Sequence, residues 1–184
     1  MAEQSDDFIL ELIGNKSSRE KGLNLLVEKY KERIYWHIRR LIISPEDSED
    51  VMQETFINIF RFIDSFQRES KLYTWLYKIA TNECLKHFRK RKSIFTSLND
   101  KGAMSASETV SFSSEDGDEL LKRFQKAVAK LPEKQRIVFN LRYYDELPYE
   151  EISEILNTNT GSLKTSYHYA YEKVKNELLN NNIL

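Results

Sequence analysis

The chain has 184 residues, of which 40% are apolar and 31% charged, with a net charge of −1 at pH 7. That is enough to bury the core of one ordinary domain or two small ones and too little for a large enzyme scaffold. Only 5 glycines and 3 prolines interrupt it, which excludes a turn-rich β architecture, and the single cysteine, Cys84, excludes an internal disulfide and a multi-cysteine zinc site.

In chain order, a short helix is expected around Phe8–Ile13. The stretch Gly14-Asn15-Lys16-Ser17-Ser18 faintly resembles a phosphate loop. Its Gly and Lys are not adjacent, however, and Ile9 stands where the first glycine is needed, so it reads as an inter-helix loop. Leu26, Tyr30, Ile34, Ile38 and Leu41 recur every three or four residues. So do Met52, Phe56, Ile59, Phe60 and Ile63, and then Leu72, Trp75, Leu76, Ile79 and Phe88. Three amphipathic helices follow from that spacing. Ser44-Pro45-Glu46-Asp47 supplies a capping serine, a proline at the first helical position and acids in the first turn.

Residues 93–118 are rich in Ser, Thr, Asp and Gly without an apolar period, and read as a flexible acidic linker. Beyond it, Leu120, Phe124, Ala127, Val128 and Leu131 mark one helix, ended by Pro132. Ile137, Leu141 and Tyr144 mark the next. Pro148 opens a short helix with Ile152, Ile155 and Leu156, and a long one carries Leu163, Tyr167, Ala170, Val174 and Leu178. Between these two, Asn157 suits the left-handed position that ends a helix and Asn159 is placed to cap the next. Short helix, tight turn and long polar-fronted helix make a helix-turn-helix candidate. The expected fold is therefore all-α: two small helical domains, residues 1–92 and 119–184, joined by a flexible linker.

Charge divides unevenly along that plan, at +2, −4 and +1 for residues 1–92, 93–118 and 119–184. Within the first domain, 44–54 holds Glu46, Asp47, Glu49, Asp50 and Glu54 with no base, whereas 71–92 holds seven bases against Glu83 alone. Faces of opposite sign suit different partners. The basic helix end from Lys86 to Lys92, with Tyr73, Trp75 and Tyr77 upstream, combines cations for a phosphate backbone with flat rings for unstacked bases. In the helix-turn-helix, Thr160, Gly161 and Ser162 offer backbone N–H groups at a helix start, and Lys164, Thr165 and His168 follow on the outward side. Solvated helix faces, and bases that favour a helix C-terminus, account for the same patterns, so spacing alone leaves both readings open. Cys84 and His87 share a helix face, but His37 and His168 lie in other segments and no carboxylates complete a metal or catalytic site. No enzymatic activity, cofactor or metal is expected. No run approaches the ~18 apolar residues of a membrane span, and the acidic start, residues 1–7, lacks the order of a secretory leader. A cytoplasmic location without direct membrane insertion is expected.

Asp47-Ser48-Glu49-Asp50-Val51-Met52-Gln53-Glu54-Thr55-Phe56 resembles the D-A-E-D-x-x-Q-E-T-F signature of bacterial RNA polymerase sigma factors of the extracytoplasmic-function (ECF) subfamily. Residues 66–82 are similar to its F-R-G-E-S-S-F-R-T-W-L-Y-R-I-A-x-N stretch. Leu131-Pro132-Glu133-Lys134-Gln135-Arg136, Tyr149-Glu150-Glu151-Ile152 and Gly161-Ser162-Leu163-Lys164-Thr165 are similar to L-P-x-x-Q-R, Y-E-E-I and G-T-V-K-S. The resemblance implies a factor that lends promoter recognition and −10 melting to core polymerase. Asp50, Gln53, Glu54, Phe56 and Ile57 would dock on the β′ clamp helices, and the second domain would meet the β flap. Lys71, Tyr73, Thr74, Trp75, Asn82, Lys86, Arg89 and Lys90 would open and read the −10 element. Thr160, Gly161, Ser162, Lys164, Thr165 and His168 would read the −35 element. In many relatives an anti-sigma protein wedges between the two domains, a clasp that the linker here permits, so an anti-sigma factor is a further expected partner. Lys86 stands where relatives carry Asp, and Ser166 and Tyr169 where Arg is common, so the −10 preference does not transfer and stand-alone duplex binding is expected to be weak. Two other classes use the same residues: a dimeric regulator acting through the helix-turn-helix alone, and a helical adaptor that binds only protein.

Overall fold

The computed structural model describes residues 4–99 and 119–180. Of the expected linker, residues 100–118 lie outside the described residues. Every regular element among those described is helical, and no helix is long and apolar enough to cross a membrane. The chain divides into two compact units, Met1–Cys84 and Leu85–Leu184.

The first unit comprises α1 (Asp6–Gly14), α2 (Arg19–Leu41), α3 (Pro45–Phe62), a 3-10 turn (Ile63–Ser65) and the start of α4 (Leu72–Asn99). Local chemistry sets the starts. Ser44 Oγ accepts from the Asp47 amide at 3.2 Å with Pro45 just inside the helix, and Ser5 Oγ accepts from the Phe8 amide at 3.3 Å. Asn15 turns the chain between α1 and α2, its Oδ1 accepting from the Ser17 amide at 3.0 Å. Leu26, Tyr30, Ile34, Ile38 and Leu41 are all buried, as their spacing predicts. In α3 the buried arc is rotated from the expected one: Val51, Thr55, Phe56 and Ile59 face inward, while Phe60 is 38% exposed.

Polar contacts join these helices. His37 Nε2 lies 3.0 Å from Thr81 Oγ1, linking α2 to α4, and Asn58 Nδ2 donates to Glu83 Oε1 at 3.0 Å, linking α3 to α4. Asp6 accepts from the Tyr30 hydroxyl at 2.7 Å and pairs with Lys29 at 2.9 Å, tying α1 to α2. Arg19 grips both Asp64 oxygens at 2.7 and 2.8 Å, and that bidentate bond holds the Asp64 carboxyl below the usual carboxylate range. Arg68, which stands at the glycine of the F-R-G-E-S stretch, has φ 58°, a left-handed conformation in an L residue. Helix α4 continues through Asn99 and so takes in the first seven residues of the expected linker. Ser and Thr suggested coil there, yet no Gly or Pro stands between residues 93 and 99 to stop the helix.

The second unit packs α5 (Glu119–Ala129), α6 (Glu133–Tyr143), α7 (Tyr149–Leu156) and α8 (Thr160–Asn180), with α8 contacting the other three. Ala127, Val128, Leu131, Phe139, Ala170 and Val174 form one core cluster. Phe139 stacks on Tyr143 and Tyr167 with ring centroids 5.1 and 5.7 Å apart. Burial there, with Tyr149 adding a smaller effect, raises the Tyr167 phenol above its ordinary pKa. Asn157 takes φ 48° and ψ 49° and ends α7, as its position predicts. Glu146, at φ 54°, has the same strained sign without asparagine's tolerance for it.

Asn140 in α6 is 0% exposed, and neither its Nδ2 nor its Oδ1 has a hydrogen-bond partner. Burying such a group unpaired costs about 1–3 kcal/mol. Leucine has similar volume and a better helix propensity, so Asn140→Leu is expected to stabilise the unit by about 1–2 kcal/mol, read as a higher urea midpoint. A lower midpoint would mean that the amide is paired in solution.

Candidate nucleic-acid interface and docking face

Helix α3 presents Asp50, Gln53, Glu54 and Ile57 to solvent, Ile57 at 48% exposure. The four recur at three- and four-residue steps and so form one acidic stripe with an apolar end. Phe56 does not join them. It is 9% exposed and packs its ring 6.1 Å from that of Phe60, so its side chain belongs to the core. A phenylalanine one residue from the stripe falls about 100° around the helix, on the inward arc.

Along α4, Lys71 just before its first turn, then Trp75, Lys78, Asn82, Lys86 and Arg89, are spaced by four, three, four, four and three residues and line one outward face. Lys78 completes this stripe although the sequence reading placed it in no site; its four-residue step to Asn82 was the available signal. Lys90 is exposed beside it. Trp75 is half-buried, its ring 5.4 Å from Phe66, and the Lys71 ammonium sits 5.4 Å from the half-buried Tyr73 ring. These contacts orient the aromatic and the base together. Two neighbours turn the other way. Thr74 is 2% exposed with its hydroxyl unpartnered, and Tyr77 is 1% exposed with its ring 4.8 Å from that of His37. The Thr74 side chain therefore faces the core instead of a DNA strand, and Tyr77 offers no face to a base. Both fall on the arc occupied by Leu76, Ala80 and Thr81, which packs inward.

In the second unit, Gly161, Ser162, Lys164, Thr165 and His168 are exposed on α8 and Thr160 is half-buried. Asn159 Oδ1 accepts from the Ser162 amide at 2.8 Å, as its capping position predicts. That bond occupies one of the backbone donors expected to be free for an anion, leaving the amides of Thr160 and Gly161 and the Ser162 hydroxyl. The Thr165 hydroxyl donates to the Gly161 carbonyl at 3.1 Å. Tyr149 has Arg142 5.2 Å and Lys164 5.7 Å from its ring, which holds both cations near the start of α8. A groove of about 600 Å³ runs between the starts of α6 and α8, lined by Lys134, Gln135, Gly161, Ser162 and Thr165 among others. Lys134 and Gln135 were read only as parts of a motif, because nothing local tells that α6 begins beside α8.

The sequence matches Sigma-70 region 2 over residues 26–94 and Sigma-70, region 4 over residues 121–174. It is 34% identical over 168 residues to the ECF RNA polymerase sigma factor SigW of Bacillus subtilis, covering 83% of this chain and 87% of that protein. It is 30% identical over 187 residues to the ECF RNA polymerase sigma-E factor of Salmonella typhi, covering 97% of each. The fold is similar to that of the sigma factor RpoE from Bartonella quintana, solved in complex with the anti-sigma factor NepR. The TM-score is 0.73 at 23% identity, over 88% of this chain and 99% of that one. CnrH, solved in complex with the cytosolic domain of CnrY, gives a TM-score of 0.69 at 19% identity over 97% and 99% of the two chains.

Proposed function

Because the chain belongs to the ECF sigma factors of RNA polymerase, we propose that its two helical units divide promoter recognition between them, with α3 holding it on core polymerase. Residues 1–92 bind core polymerase and the −10 element, and residues 119–184 read the −35 element. The observation that carries this division is the opposite polarity of two helices: an acidic, apolar-tipped stripe on α3 and a basic, aromatic stripe on α4. Asp50, Gln53, Glu54 and Ile57 meet the β′ clamp helices, while Lys71, Tyr73, Trp75, Lys78, Asn82, Lys86, Arg89 and Lys90 follow the opened −10 strand. Lysines and arginines position the backbone; Trp75 and Asn82 meet bases. Capturing an extruded base in this way makes melting favourable without chemical catalysis, so the protein acts as an initiation factor and not as an enzyme.

On α8, Lys164, Thr165 and His168 enter the major groove while Thr160, Gly161 and Ser162 hold its phosphates. An anti-sigma factor as a further partner is supported by likeness in fold to the sigma factor RpoE, solved with the anti-sigma factor NepR.

The test is reconstitution with core polymerase from the same cells. One copy per core is expected to co-elute, and run-off transcription is expected to start at one position upstream of which −10 and −35 elements are found. A stable dimer that ignores core polymerase and binds paired half-sites would replace this reading with that of a stand-alone regulator.

A further inference from the structure

The chain between the 3-10 turn and α4, residues 66–71, leads into the basic stripe of α4, and little of it is held by its own burial. Gln67, Arg68, Glu69 and Lys71 are exposed, and Phe66 is half-buried with its ring 5.4 Å from that of Trp75. Polar contacts to the α1–α2 hairpin hold this stretch instead. Arg19, the first residue of α2, donates from Nη1 and Nη2 to the two Asp64 oxygens at 2.7 and 2.8 Å, and Nη1 also donates to the Ile13 carbonyl at 3.2 Å. Four residues beyond Asp64, Arg68 meets Asp7 of α1 at 3.3 Å.

The two pairs are not equivalent. Both reach solvent, and an exposed ion pair held by one hydrogen bond contributes little, because its side chains are free to part. Arg68–Asp7 is of that kind. Arg19–Asp64 is bidentate, which fixes direction as well as distance. The Ile13 carbonyl, in the last turn of α1 and so without an intrahelical donor, gives the guanidinium a third partner. From Asp64 the restraint passes along the turn: the Phe66 amide donates to the Ile63 carbonyl at 3.1 Å, and Ile63 is buried. Contacts therefore run from Arg19 through Asp64 and Phe66 to Trp75, the ring assigned above to a base, and every link lies in the first unit.

We propose that Arg19 and Asp64 are positioning residues for −10 capture: their bidentate pair fixes the 3-10 turn, and with it the Phe66 ring against which Trp75 is set to receive an unpaired base. The inference rests on the sigma-factor reading above. An aromatic already held in its binding attitude loses less freedom when the base arrives, so the pair acts by preorganisation. Both residues act through Trp75 and neither touches the strand. The sign of the effect separates this role from plain electrostatics. Asp64→Asn removes a negative charge and frees a guanidinium, which by charge alone strengthens binding to DNA; loss of positioning weakens it.

The test uses holoenzyme reconstituted from the full chain and core polymerase, with a single-stranded oligonucleotide carrying the −10 element of a promoter mapped for this protein. Asp64→Asn should lower affinity for that strand roughly tenfold, within what stacking one base on a ring supplies, with co-elution on core unchanged. Asp64→Glu, which keeps the carboxylate, should recover most of the loss. Arg19→Gln should match Asp64→Asn, and the double variant should lose no more than either alone. Asp7→Asn, an equal change of charge beside the same stretch, should not weaken binding. A second readout needs neither DNA nor polymerase. The chain has two tryptophans, so in a Trp36→Phe background the emission is that of Trp75 alone, and Asp64→Asn should shift it to the red and raise its quenching by acrylamide. Unchanged or tighter strand binding by Asp64→Asn would overturn the proposal. So would Trp75 emission and quenching that do not respond, or a loss of strand binding that comes with loss of co-elution on core. Failure of wild-type holoenzyme to bind the strand would overturn the sigma-factor reading and the −10 role with it, whether or not the emission responds.

Discussion

Replacing Asp50, Gln53 and Glu54 together by alanine is expected to weaken binding to core RNA polymerase at least 100-fold and to remove co-elution. The three side chains are exposed in the free protein, where they contribute nothing to its core. Alanine is also the best helix former, so the variant should unfold at the same or a higher denaturant concentration. What is lost is confined to the complex. Removing one partner of a hydrogen-bonded charge pair that is desolvated at an interface costs about 2–5 kcal/mol, and about 2.7 kcal/mol is already a hundredfold. Phe56→Ala is the control that separates the two faces of α3. At 9% exposure it should lose about 3 kcal/mol of stability through the cavity it leaves, and any loss of polymerase binding should follow from unfolding. Equal co-elution of the triple variant and the wild type would remove α3 from the docking surface.

Gly14→Ala and Gly22→Ala are the same chemical change on either side of the turn of one helical hairpin, and their effects are expected to have opposite signs. At Gly14 an added Cβ meets nothing within 4 Å, so alanine gains up to about 1 kcal/mol of helix propensity. At Gly22 the same atom would lie 2.8 Å from both the backbone nitrogen and Cγ1 of Ile13, and 2.9 Å from Cβ of Leu12. A side chain can rotate out of the way; the Ile13 nitrogen can move only if α1 lifts from α2. Ile9 and Ile13, now 0% and 4% exposed, would then surrender part of a burial worth about 1.5–3 kcal/mol each. Asp6 would lose Tyr30 and Lys29 as well. The net expectation is a loss of about 2–3 kcal/mol, larger than the propensity gain it includes, seen as a lower urea midpoint for the first unit. A midpoint at or above that of the wild type would show that the hairpin opens without cost at this contact.

Features that depend on one turn of chain are legible in the residues themselves. Ser44-Pro45 opens α3, Asn157 ends α7 and Asn159 caps α8 because each acts on backbone groups at most four positions away. The phase of a buried arc is less legible, since it is set by the helices across the core. The family resemblance assigns Phe56 and Thr74 to functional sites and ring type adds Tyr77, yet each falls on the inward side once α2, α3 and α4 pack. Gly22 is invisible for the same reason: its role is a close approach to Ile13, nine positions earlier in the chain. Arg68 and Glu146 hold left-handed turns without the residue type that announces them, and nothing in the sequence announces that the Asn140 amide is buried unpaired. The family resemblance supplies most of the stripe on α4 and omits Lys78, whereas the groove between α6 and α8 required knowing that two distant helix starts meet.

Cys84, the one sulfhydryl in the chain, is 0% exposed. An alkylating reagent reaches it only during moments when the surrounding helices part, so its rate of modification, divided by that of a free thiol, counts those openings under fully native conditions. Gly22→Ala should speed that clock and Gly14→Ala should slow it, with no denaturant in the tube. The same burial leaves the described surface without a reactive thiol, so a cysteine introduced there takes up a dye or spin label alone, as long as the protein stays folded.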